Sequence, residues 1–136
     1  MPIISTSLEE MNVDPKDLGR TLMDAGVYQG EIQDIKFVTV AEGDAYGTPG
    51  DRKLEVRFLF EGDHGQISLI ESFQMQGRGA FMSGNVLKAL GVEKGNALWR
   101  DITQLVGTKV VAEYDTPQRS EKTGRSYNKF IKLTKV

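Results

Sequence analysis

Hydrophobic and polar positions alternate along most of this chain, and the alternation predicts strands more often than helices. The clearest case is 52–61, where Leu54, Val56, Phe58 and Phe60 fall on one side and Lys53, Glu55, Arg57 and Leu59 on the other. Gly62-Asp63-His64-Gly65 reads as a turn, and 66–74 returns with Ile67, Leu69 and Phe73 on one side, completing a hairpin. Upstream, 27–40 is a long β-branched strand. Tyr28, Gly30 and Ile32 share one face, then Ile35 and Phe37 appear in the opposite register, which predicts a bulge. Near the end, Val110, Ala112 and Tyr114 alternate with Lys109, Val111 and Glu113. Tyr127, Lys129, Ile131 and Leu133 alternate with Ser126, Asn128, Phe130 and Lys132, a pattern that turns the first four to one face and points Phe130 outward. Pro117, Ser120 and Gly124 mark the intervening 115–125 as a hairpin tip.

The period changes to that of a helix in 80–90, where Met82, Val86, Leu87, Ala89 and Leu90 make an apolar stripe that Gly91 stops. Leu98, Ile102 and Leu105 predict a second short helix over 97–106. Trp99 beside that stripe reads first as a partly buried packing residue and second as a base-stacking one. At the start, Asp14-Pro15 with Leu18, Leu22 and Ala25 predicts a short helix ending at Gly26. Residues 1–26 are thus an arm, packed across the end of the fold or lying in a basic groove, and 27–136 form one domain. The loop 41–51 is rich in Gly and Pro and carries Tyr46.

The resulting order is long strand, hairpin, helix, hairpin. It predicts a mainly β protein with one or two short helices, a five-stranded OB-fold-like Greek-key barrel. At 136 residues with 39% hydrophobic content, the chain suffices for a single core. The absence of cysteine excludes disulfides, thiolate zinc sites and cysteine nucleophiles. No apolar run approaches the roughly 18 residues of a membrane span, and the first residues lack the features of a signal peptide. A protein of the cell interior with no membrane partner is therefore expected.

Charge refines this picture. The net charge is −2, but residues 1–31 hold six acids against Lys16 and Arg20, whereas from Pro117 onward six Lys/Arg face only Glu121. Cations with interleaved aromatic rings suit a polyanion with stackable bases. The phosphate contacts predicted on this basis are Lys53, Arg57, Arg119, Lys122 and Arg125, joined by Lys129. Lys129 and Lys132 fall on opposite faces in simple alternation. Phe130 is the first choice for stacking, then Tyr127, Tyr46 and Trp99; packing against the N-terminal helix is the alternative role for Phe130. Gly77-Arg78-Gly79 is a weak phosphate-loop signal. His64, the only histidine, has no histidine partner and reads as a turn residue.

Five segments, Gly26-Val27-Tyr28-Gln29-Gly30-Glu31-Ile32, Leu54-Glu55-Val56-Arg57-Phe58, Leu87-Lys88-Ala89-Leu90-Gly91, Leu105-Val106-Gly107-Thr108-Lys109-Val110 and Gly124-Arg125-Ser126-Tyr127-Asn128, carry a resemblance. The chain resembles the OB-fold single-stranded DNA-binding proteins of tailed bacteriophages over most of 26–135. The resemblance implies a protein of the bacterial host cytoplasm that coats single-stranded DNA in phage replication or recombination. It also implies self-association along the strand and contacts with replication or recombination proteins. RNA is a further candidate ligand. No catalytic residues and no cofactor or metal are expected, since the sequence holds no P-loop, Gly-x-Ser-x-Gly or histidine pair. Many such proteins end in an acidic tail, whereas this chain ends Leu133-Thr134-Lys135-Val136. Two rival readings are a phage structural module that binds protein partners and an inhibitory mimic acting through the acidic arm.

Overall fold

A computed structural model describes residues 21–43, 48–77 and 80–136. Five antiparallel strands form one open sheet in the order β3-β2-β1-β4-β5. They are β1 (Gly26–Thr39), β2 (Arg52–Gly62), β3 (Gly65–Gln74), β4 (Lys109–Arg119) and β5 (Ser126–Lys135). Between β3 and β4 lie α1 (Ala80–Ala89), α2 (Ala97–Arg100) and a 3-10 turn at Ile102–Leu105. β1 is the spine: its later part pairs with β2, from Gly30↔Phe60 to Thr39↔Arg52, and its first six residues pair with β4.

One face of the sheet is apolar because the alternation demands it. Leu54, Val56, Phe58 and Phe60 of β2 are all fully buried, and Val110, Ala112 and Tyr114 of β4 join them. The predicted change of phase in β1 is a bulge at Gln33: Ile32 pairs with Phe58, but Asp34 pairs with Arg57. Ile32 and Ile35 consequently both reach the core. Gly30 sits where the backbone of β2 passes, since an added Cβ would lie 2.3 Å from Leu59 O.

The sheet curls until its two outer strands meet through side chains. Phe73 of β3 and Phe130 of β5 are 5.2 Å apart, edge to face, and Phe130 also packs on Tyr114 at 5.6 Å. Across the same seam Tyr114 Oη donates to Glu71 at 3.1 Å. α1 packs against β3 and β5 and delivers Val86, Leu87 and Leu90 to the core. It ends in a Schellman turn, with Gly91 at φ 78° and Val92 N donating to Leu87 O at 2.9 Å.

Four expectations are corrected. Phe130 does not point outward: it is 7% exposed. The register jumps from Glu113↔Lys132 to Tyr114↔Phe130, so Ile131 is an extra, bulged residue and both Leu133 and Phe130 turn inward. The same bulge places Lys129 and Lys132 on one outer face, opposite Asp115 and Glu113, instead of on opposite faces. The helix expected over 97–106 is broken at Asp101, which has extended backbone and whose carboxylate accepts from Thr103 N at 3.1 Å. Asn96 caps α2 in the same manner, and such caps compete with helix continuation. At the N-terminus, Thr21–Asp24 is irregular, so Leu22 and Ala25 are not helical; the rest of that predicted helix lies outside the described residues.

Candidate functional site

Two regions gather the predicted ligand-binding side chains, and β5 links them. The first is the outer face of β2 and β3. Its rows, read from the register, are Lys53 beside Gln74, Glu55 beside Ser72, Arg57 beside Ile70, Leu59 beside Ser68 and Glu61 beside Gln66. β1 adds Asp34 next to Arg57 and Lys36 next to Glu55. The cations of this face alternate with acids. Lys36 Nζ lies 3.6 Å from Asp34 and 4.0 Å from Glu55, and Lys109 bonds Glu31 at 3.2 Å.

Along the β3 side of this face runs a cleft of about 500 Å³ lined by Thr21, Arg57, Ser68, Leu69, Ile70 and Asn128. Arg57 supplies an exposed guanidinium, and Ile70 an apolar surface that is 46% exposed. Ser68 is oriented by Gln33, which reaches across β2 to accept from its hydroxyl at 3.2 Å. The far wall is made by the arriving N-terminal chain. Asn128 accepts from Met23 N at 2.7 Å and donates to Thr21 O at 3.0 Å, and Met23 itself is buried in the core. One amide side chain thus fixes where the arm joins the sheet.

The second region is the β4–β5 tip. Ser120 N donates to Arg125 O at 2.9 Å and Gly124 N donates to Ser120 O at 2.8 Å, closing a compact turn with Gly124 at φ 69°. Arg119, Lys122 and Arg125 are all exposed on it, and Arg119 Nη1 donates to Gly124 O at 2.8 Å. Pro117, which has no N–H to give the ladder, sits in a second irregularity between Asp115 and Gln118. Tyr127 is 38% exposed, and its hydroxyl donates to Gln118 Oε1 at 3.1 Å, which ties the ring to the neighbouring strand.

The predicted residues therefore separate. Arg57 lies in the cleft with Asn128 of β5, while Arg119, Lys122, Arg125 and Tyr127 share the tip. Lys53 is half-buried on β2, and Lys129 half-buried opposite Asp115. Phe130 belongs to the core. Trp99 is 55% exposed on α2, which fully buries none of its residues. Tyr46 and Arg78 lie outside the described residues. His64 is exposed in the β2–β3 turn, at a separate cavity of about 350 Å³ shared with Asp24, Tyr28 and Asp63. Burial pushes the Tyr28 phenol up, reinforced by Asp24 and Asp63.

Sequence reasoning missed Glu71, Asn128 and Ile70. Glu71 was legible as an acid in the inward series Ile67, Leu69, Glu71, Phe73. Burial pushes its carboxyl up to about 7, against the lowering effect of the Tyr114 hydrogen bond. Burial, and then the nearby Glu71 carboxylate, push the Tyr114 phenol up as well, so Tyr114 stays a donor. Asn128 stood in a segment that carries the resemblance, but its role in tying down the arm gave no signal, because its partners are backbone atoms more than a hundred residues away.

Among the described residues no group of three or more His, Cys, Asp or Glu side chains could hold a metal ion, and no helix is long and apolar enough to cross a membrane. Comparison with protein-family models, with curated proteins and with solved structures finds no match.

Proposed function

We propose that the chain is a non-enzymatic binder of single-stranded nucleic acid, DNA foremost, with little sequence preference. The observation that carries this reading is the β4–β5 tip: three exposed cations around a turn fixed by its own hydrogen bonds, next to an exposed ring held by Gln118. A rigid aromatic face stacks on any base, and cations along the path neutralise phosphates, so neither contact reads sequence. Arg57 and Ile70 in the cleft offer a second pair of the same kind, a charge beside an apolar surface.

The strand order supports the finer fold reading. β3-β2-β1-β4-β5, with a helix between β3 and β4 and side-chain contact from β3 to β5, is the order of an OB barrel opened at its β3–β5 seam. On that reading the outer face of β2–β3 and the β4–β5 loop are where a strand would lie. The bacteriophage resemblance extends the proposal to coating of exposed strands during replication or recombination in a bacterial host. A second reading, a module that binds protein partners, is favoured by one observation: the acids Glu31, Asp34, Glu55 and Glu61 interleave with the cations of the outer face.

Fluorescence anisotropy of labelled oligo-dT, against a duplex of equal length, separates the two. For four phosphate contacts, raising salt from about 50 to 200 mM should weaken single-strand binding roughly fifty-fold. Arg125→Ala should weaken binding and flatten that slope by about 0.7, the share of one phosphate contact. Absence of single-strand binding at the lower salt would overturn the proposal in favour of a protein partner.

A further inference from the structure

β3 ends the sheet on one side, and among the described residues no strand is hydrogen-bonded to its far edge. It pairs with β2 through an unbroken register, from Lys53↔Gln74 to Gly62↔Gly65, and no backbone hydrogen bond joins its far edge to another described residue. Edge strands are ordinarily blunted by lysines, prolines, bulges or shortness. The opposite edge follows that rule, since β5 carries Lys129, Lys132, Lys135 and the bulge at Ile131. β3 has ten residues, no Lys, Arg or Pro and no bulge. Its one charged side chain, Glu71, turns inward to Tyr114 of its own chain.

The outward residues of β3 are Gln66, Ser68, Ile70, Ser72 and Gln74, a series that reads the same in both directions. We propose that β3 pairs with the β3 of a second copy of this chain, antiparallel about a two-fold axis through Ile70. An isologous contact of that kind must be self-complementary, and this register makes it so. Ile70 meets Ile70 of the second copy, each Ser68 meets a Ser72, and each Gln66 meets a Gln74. A slip of two residues sets Ile70 against Ser68 and loses the match. The nearest charges do not oppose the contact. Arg57 lies one strand in from Ile70, so the two Arg57 side chains stand three strand spacings apart, about 14 Å. That exceeds the screening length of about 8 Å at physiological salt. Among the described residues a cleft lined by Ser68, Leu69, Ile70, Thr21 and Asn128 opens beside the middle of this strand, at the proposed axis. The pairing shares Ile70 and this cleft with the nucleic-acid proposal and leaves the β4–β5 tip untouched, so mass and cross-linking measured without nucleic acid test it separately. It would join the outer faces of two sheets into one.

The absence of native cysteine makes the test direct. Directly opposed residues of an antiparallel pair have Cα atoms about 4.5 to 5.5 Å apart, within disulfide reach. Under mild oxidation Ile70→Cys should form a covalent dimer on a non-reducing gel, whereas Thr134→Cys, exposed on β5, should not. Light scattering should give the wild type twice its chain mass of 15.1 kDa, and Ile70→Lys, which puts two cations on the axis, should return it to 15.1 kDa with an unchanged circular dichroism spectrum. A wild-type mass of 15.1 kDa at high micromolar concentration overturns the proposal. A dimer that survives Ile70→Lys, or equal cross-linking of Thr134→Cys, overturns it too.

Discussion

Replacing Glu71 by Gln should raise stability relative to wild type progressively as pH rises from acid through neutrality. The carboxyl has a folded-state pKa raised from 4.5 to about 7, mainly by burial. The folded state then holds a proton that the unfolded chain has already released, so stability falls as pH rises between those two values. Below the unfolded value both states are protonated and the cost is absent; above the folded value it is fully present. At about 1.36 kcal/mol per unit, the whole shift is worth roughly 3 kcal/mol. Gln keeps an oxygen that can accept from Tyr114 Oη and carries no charge, so the cost disappears. Its extra N–H group adds an offset that does not vary with pH. Urea unfolding of wild type and Glu71→Gln across this pH range gives the check. The difference in unfolding free energy should climb from the offset in acid by up to roughly 3 kcal/mol above neutrality. A difference that stays flat with pH, or shrinks as pH rises, would refute the account of a carboxyl held neutral in the seam.

Two further outcomes separate core from surface. Phe130→Ala should cost about 3 to 5 kcal/mol in chemical denaturation, because it empties the ring contacts with Phe73 and Tyr114. Tyr127→Ala, at an exposed ring, should change the unfolding free energy by no more than about 0.5 kcal/mol. Gly30→Ala should lower stability by about 1 to 3 kcal/mol in the same assay, since its methyl meets the Leu59 carbonyl and only a shift of β2 makes room.

Where the chain keeps strict alternation the structure follows it, as in β2, and the succession of five strands with helices after the third could be anticipated from the spacing of turns and the change of period at 80–90. The bulge in β1 was legible too, because it leaves two apolar positions, Ile32 and Ile35, out of phase. The bulge at Ile131 was not. Ile131 is itself apolar, so Ile131 and Leu133 continue a plausible alternation, and only pairing with β4 reveals that Phe130 takes the inward place. That slip carried Phe130 out of the core and onto the candidate surface. The cleft was illegible for a different reason. Arg57 and Ile70 come from adjacent strands, but Thr21 and Asn128 are brought there by contacts between the two ends of the chain, which no local pattern encodes. Asp101 shows the limit of helical periodicity: Leu98, Ile102 and Leu105 have the spacing of one helix, yet a side-chain cap splits it.

The position of β1 has a consequence for how the chain folds. β1–β2 and β2–β3 pair neighbours in sequence, and β4–β5 is a hairpin closed by a short turn, so each can form early from local contacts. The strand pairing that unites the two halves is that of the first six residues of β1 with β4, and the Glu31–Lys109 contact there spans 78 residues. Closing a loop of that length costs roughly 4 kcal/mol of chain entropy before any packing offsets it. The six-residue ladder from Gly26↔Tyr114 to Glu31↔Lys109 is therefore the natural late event. Tyr114 and Phe130 can meet within their own hairpin, but Phe73 and Glu71 of β3 reach them only once that ladder is in place, so the last side chains to find their partners are also those that close the core.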